Sequence, residues 1–233
     1  MKKVTRRGML GGFAAGVAAT VPILGSGCAE GSKPEAVAPP KPTLKAYKNE
    51  DFYGPDGKLD QAKAKQAYYE LMAFHGYPIY PELKTDQFWV IDFGLGKFTE
   101  VGMAGIFWIN DQRDDYLLHD IWLLPGQMIP EHYHVKTADV AAKMEAWLVR
   151  HGTDYFYSEG EPTPGVEARI PPTHKDCCKA KSEVLKGPGG VVKLEVAESR
   201  HWQKAGPEGA IVTEVATYHS MDALRFSHPD AKV

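Results

Sequence analysis

Three cysteines in 233 residues are too few to staple a fold. Two of them, Cys177 and Cys178, are neighbours in THKDCCKAKS. Disulfide geometry disfavours a bond between adjacent residues, and a lone Cys-Cys is not a zinc spacing, so both are expected to be loop or shallow-core thiols. Positive charge is also short: 27 Lys and Arg stand against 30 Asp and Glu, a net of −3, with no basic stripe. That argues against nucleic acid or anionic lipid as a partner. No apolar run is long enough to span a bilayer, because the only extended one, ending at Leu24, is short and rich in glycine. No internal repeat of fixed period is present.

The chain opens with MKKVTRRGMLGGFAAGVAATVPILGSGCAEG. A basic start (Lys2, Lys3, Arg6, Arg7), a weakly apolar stretch and small residues before Cys28 form an export signal over 1–28. TRRGML resembles the twin-arginine type, which carries folded proteins across the bacterial inner membrane. GSGC is close to a lipoprotein box, although Gly25 stands where Leu is usual, so Cys28 is either a lipid attachment point or lost by simple cleavage. The protein is therefore expected in the periplasm, or anchored to the membrane facing it. Residues 29–45 are rich in Pro, Ala and Lys and form a flexible linker. Without residues 1–27 the charge is 23 positives against 30 negatives, or −7. What remains is one domain's worth of chain.

Residues 46–84 make an N-terminal helical extension, with helical content from Leu59 to about Phe74 stopped by Gly76 and Pro78. From residue 85 to 233 the pattern changes to about ten short β-rich runs punctuated by glycine and proline. They run 88–94, 102–110, 116–126, 128–135, 145–152, 154–158, 190–196, 201–206, 210–219 and 224–228. This is an all-β barrel or sandwich with one short leading helix. The proline-rich segment 160–182 reads as a long loop over one mouth of the barrel.

The chemistry is concentrated in PGQMIPEHYHVKTADVAAKMEAWLVRHG, 125–152. Residues two apart on a strand share a face, so His132 and His134 project together while Tyr133 points away. Two imidazoles joined by a carboxylate from a neighbouring strand form a ligand set for a first-row divalent metal. Glu145, at the head of the next run, and Asp139, five positions after His134, both offer that carboxylate. His201, at the start of a later run, is the best fourth ligand.

The order G-x5-H-x-H (Gly126 to His134), E-x6-G (Glu145 to Gly152) and a later His resembles the cupins, metal-binding jelly-roll barrels. One departure is the ten residues between His134 and Glu145, where cupins usually have three or four. Within that superfamily, DFGLGKFTEVGMAGIFWIN (92–110), KME (143–145) and HWQKAGPEGAIVTEVATYH (201–219) resemble the D-lyxose isomerase family over roughly 85–230. The resemblance implies a cupin-type jelly-roll β-barrel. It also implies that Glu145, not Asp139, completes a metal set with His132, His134 and His201.

It further implies an aldose–ketose sugar isomerase of the D-lyxose to D-xylulose kind. The cofactor would be a divalent ion, Mn first and Zn, Co or Fe as alternatives, stabilising an enediolate. By position, Glu214 becomes the proton-shuttling base and Lys143 a catalytic helper sharing the face of Glu145. Arg225 becomes a substrate contact. The partner is a small-molecule sugar, and a homodimer is expected by analogy. Two other readings remain open on residues alone: an Fe-dependent cupin oxygenase and a non-catalytic sugar-binding cupin. His75, His119, His151, His174, His219 and His228 read as ordinary, His119 least securely.

Overall fold

The computed structural model describes residues 43–233. The export signal expected at 1–28, with Cys28, and the linker up to residue 42 lie outside the described residues. The helix α1 spans Gln61–His75. Its first turn is capped by Asp60, whose side chain accepts from the Lys63 amide, and it ends at Gly76 in the left-handed conformation (φ 67°). Ala64, Ala67, Tyr68, Leu71 and Met72 are buried. Their i, i+3, i+4, i+7, i+8 spacing forms one stripe.

Nine strands follow: β1 (Trp89–Ile91), β2 (Met103–Asp111), β3 (Tyr116–Leu123), β4 (Met128–His134), β5 (Glu145–Ser158), β6 (Ser182–Lys186), β7 (Val191–Lys193), β8 (His201–Ala216) and β9 (Leu224–Phe226). They form one curled antiparallel sheet, with the path β1-β2-β3-β8-β4-β9 and with β5 flanking β8 along its length. The later half of β8 pairs with β3, and the earlier half pairs with β4. The long, bent pair β5–β8 thus carries the sheet from one wall of the barrel to the other, the expected jelly-roll.

Two expectations change here. The runs 145–152 and 154–158 are one strand, and so are 201–206 and 210–219. Their glycines mark a shared bend, not turns. Gly152 (φ 71°) and Gly209 (φ 72°) meet across the strands, and a Cβ on Gly152 would run into the Gly209 carbonyl oxygen. The strand β6 lies beyond the expected loop and pairs only with β5. None of its residues is fully buried, so it carries no alternating apolar signal.

Each wall is covered from outside. The stripe of α1 packs with Phe88, Phe98, Trp122 and Ile211 on the β3 wall. Asp120 accepts from Tyr77 Oη (3.0 Å), Trp108 Nε1 (2.8 Å) and Thr213 Oγ1 (2.5 Å), tying the segment after the helix to the sheet. The segment 160–182 does not close a mouth. Its Val166, Ile170, Cys178 and Ala180 pack on Met128, Tyr157 and Trp202, the outward residues of β4, β5 and β8. Glu131 anchors it by accepting from the amides of Lys179 (2.7 Å) and Ala180 (2.6 Å). Cys177 and Cys178 are both free thiols there, pushed up by burial. Inside the barrel lies a second apolar core built on Met103, Ile121, Leu123, Ile129, Trp147 and Val149.

Candidate metal centre

The alternation of β4 sends His132 and His134 inward and Tyr133 outward, where the Arg200 guanidinium sits 4.7 Å over its ring. His132 lies directly opposite His201, the first residue of β8, with ring centroids 4.3 Å apart. Glu145 opens β5 and reaches between them. One of its oxygens stands 3.0 Å from Nε2 of His134, and the other stands 3.0 Å from Nε2 of His201. One ligand atom from each of His132, His134, Glu145 and His201 falls within 4.8 Å of the others. Asp139 is exposed in the connection between β4 and β5, so the carboxylate at the site is that of Glu145.

The donor set fits a divalent cation on three counts. His132 and His201 each hold Nδ1 at 2.9 Å from the carbonyl two residues earlier, Pro130 and Ser199. Nδ1–H donates there, which leaves the Nε2 lone pair facing inward. Glu145 Oε1 and His201 Nε2 are buried and make no aligned hydrogen bond despite their close neighbours. Such orphaned lone pairs are costly unless something positive sits among them. Burial pushes His132 and His134 down, so they are neutral, whereas Glu145 raises His201 against the effect of burial. Burial alone would raise Glu145, but Lys143 and then His201 hold it well below the usual carboxylate range. Neutral His132 and His134 and an ionised Glu145 are in the metal-binding forms, and a cation would displace the proton that Glu145 favours on His201.

Beside this set lies a chain of charges. Lys143, only 4% exposed, stands 3.1 Å from Glu145 and donates to Glu214. Burial opposes its charge, but Glu214 and Glu145 together raise its pKa. Glu214, equally raised by burial, is brought down to about 2 chiefly by Lys143. Its other oxygen lies 3.0 Å from His119 Nδ1. Trp89 stacks on His119 at 5.6 Å, and Phe107 lies 4.5 Å from it. Gly105 makes room for this group, since a Cβ there would strike both His119 and Trp89.

His132, His134, Glu145, Lys143, Glu214 and His119 line a cavity of about 270 Å³ together with His219, Gln203, Trp147 and Phe226. Burial pushes His219 down to about 3, so its ring is neutral. Arg225 is not brought to the cavity. Leu224 and Phe226 line it, and Arg225, between them, is exposed and donates to the carbonyls of Asp222 and Leu224. His119 and His219, read as ordinary from the sequence, belong to the cavity wall. The alternation Leu117, His119, Ile121, Leu123 pointed to the first, but β3 is buried on both faces and hides its own period. No local pattern pointed to His219, which follows β8 and is held by a two-way backbone clasp with the Asn110 amide.

No protein-family model matches the chain. Among solved structures, the L-ribose isomerases of Cellulomonas parahominis and Acinetobacter sp. DL28 each superpose with a TM-score of 0.58 at 16% identity. The overlap covers 73% and 72% of this chain, and 92% and 91% of theirs. At that identity the likeness shows a common fold. In sequence, the chain is 35% identical over 128 residues to the D-lyxose ketol-isomerase of Cohnella laeviribosi, covering 55% of this chain and 69% of that one. It is 32% identical over 177 residues to the D-lyxose/D-mannose isomerase of Thermosediminibacter oceani, 75% of this chain and 96% of the relative. A match of that depth over nearly the whole relative, on a barrel that gathers three histidines and a glutamate, places the chain in the D-lyxose ketol-isomerase family.

Proposed function

We propose that the protein interconverts an aldose and a ketose, with D-lyxose and D-mannose, the sugars named for its relatives, as first substrates. The observation that carries this reading is the convergence of His132, His134, Glu145 and His201, with the first three lining one cavity with the buried Lys143–Glu214 pair. The isomerisation moves one proton from C2 to C1 of the open-chain sugar, and one from the hydroxyl on C2 to the oxygen on C1. His132, His134, Glu145 and His201 would hold a divalent ion, Mn foremost, which would supply Lewis acidity for the negative charge of the enediolate.

Glu214 starts ionised, so it begins as an acceptor for the C2 proton and returns it to C1. Lys143, already shared between two carboxylates, donates to a sugar oxygen as Glu214 takes up the proton. His119 keeps the Glu214 carboxylate aimed while its charge changes. Trp147 and Phe107 exclude water around the transfer. The same proposal includes export through the segment containing TRRGML, with Cys28 as a lipid anchor if GSGC is processed as a lipoprotein box, and a homodimer.

The test pairs metal analysis with isomerase assays on the purified protein and on His132→Ala. About one Mn, Fe, Co or Zn per chain and turnover of D-lyxose are expected for the wild type, with both lost in the variant. A metal-loaded wild type that consumes oxygen and isomerises nothing would make it an oxygenase instead. Absence of metal from the wild type would remove the basis of the reading.

A further inference from the structure

On the side of His119, Glu214 and His132 away from His134 and Glu145, the cavity wall is hydrocarbon apart from Gln203, and the pairing register past that row shows why. His119 opposes Glu214, and two residues further along β3, Ile121 opposes Val212. Gly105, the β2 partner of Ile121, is followed inward by Met103. On the other wall His132 opposes His201, and Ile129 opposes Gln203. Gln203 is the one polar side chain in that deeper level of the lining, and it is committed. With its amide oriented to satisfy both neighbours, it donates to Asp154 (2.8 Å) and accepts from Trp147 Nε1 (3.1 Å). Phe93, which packs on Phe226 (ring centroids 5.7 Å), belongs to the same apolar core as Met103, Ile121 and Ile129.

We infer that the site favours aldoses whose last carbon is a methyl group over those that end in a hydroxymethyl group, making 5-deoxypentoses and 6-deoxyhexoses better substrates than their parents. The inference rests on the isomerase reading and specifies its substrate class. An aldose with its C1 and C2 oxygens at the histidine–glutamate set has Lys143, His119 and His219 within the same wall for its next hydroxyls. Its last carbon extends past that row. There it meets Met103, Ile121, Ile129 and Phe93. A terminal hydroxyl there gives up water for a buried surface whose one polar side chain, Gln203, is already paired, whereas a methyl gains from the same contact.

The experiment compares kcat/KM for 5-deoxy-D-lyxose with D-lyxose, and for 6-deoxy-D-mannose with D-mannose, on the metal-loaded protein. The deoxy sugar is expected to lead by about tenfold, equivalent to ~1.4 kcal/mol. Calorimetric affinities for 6-deoxy-D-mannitol and D-mannitol, which cannot isomerise, should fall in the same order. Met103→Gln places an amide of similar size on the apolar wall and is expected to bring the ratio back toward one. Parents used as well as or better than the deoxy sugars would overturn the inference and leave the isomerase reading intact. Turnover of none of the four sugars would end both.

Discussion

A carboxylate buried beside an ammonium group is expensive unless each keeps the other charged, and Glu214, Lys143 and Glu145 form such a run. Two roles are separable within it by single substitutions. Glu214→Gln keeps the shape and an acceptor for His119 but removes the proton acceptor. It should lower kcat by roughly 10²–10⁴-fold with metal content unchanged. Glu145→Gln should lose metal and activity together, and equal metal loss in the two variants would contradict the separate roles. Arg225→Ala is the contrasting case: an exposed side chain bonded to local carbonyls should leave kcat/KM unchanged and stability within about 0.5 kcal/mol. The difference between Arg225 and its neighbours is one of strand parity, since Leu224 and Phe226 hold the inward positions and a motif match does not report which face a residue takes.

The helix α1 and the segment 160–182 act as the outer supports of the two walls. Leu71 is fully buried, and its side chain, with the Leu123 carbonyl oxygen, closes the space beside Gly209 at the bend of β8. Leu71→Ala should therefore cost about 2–5 kcal/mol in denaturant unfolding. A loss near zero would mean that the helix is not what holds the bend. On the other wall His174 is buried beside His228, ring centroids 4.9 Å apart. Burial, with the charge of His228 adding, pushes it from 6.5 down to about 4. The unfolded chain takes up this proton near 6.5, and the folded chain resists until about 4. Stability is therefore whole above 6.5 and falls as the pH drops from there toward 4. His174→Gln, which has no such proton to take up, should flatten that part of the Tm–pH curve. An unchanged slope would show that the ring ionises freely in the fold.

At the scale of the whole molecule the four residues that could hold a metal come from β4, β5 and β8, so a bound ion should lock the two walls together. Mn²⁺ at about one hundred times its Kd should raise stability by ~2.7 kcal/mol, read as a higher Tm, and the gain should vanish in Glu145→Gln. Much of this molecule follows from local rules. The i, i+2 parity of a strand puts His132 and His134 on one face, alternating short runs announce a barrel, and the Lys-x-Glu of Lys143 and Glu145 resembles that of the D-lyxose isomerase family. These signals were legible because each is carried by neighbours in the chain. Tertiary structure alone decided that Lys143 spans two carboxylates, that His119 and His219 join the cavity, and that Arg225 stays outside it. It also decided that two glycine-marked runs become one bent strand, and that the proline-rich segment covers an outer face. Those outcomes depend on cross-strand register and on which surfaces remain to be covered once the barrel closes. Both are set by contacts between residues far apart in the chain, which no local period encodes.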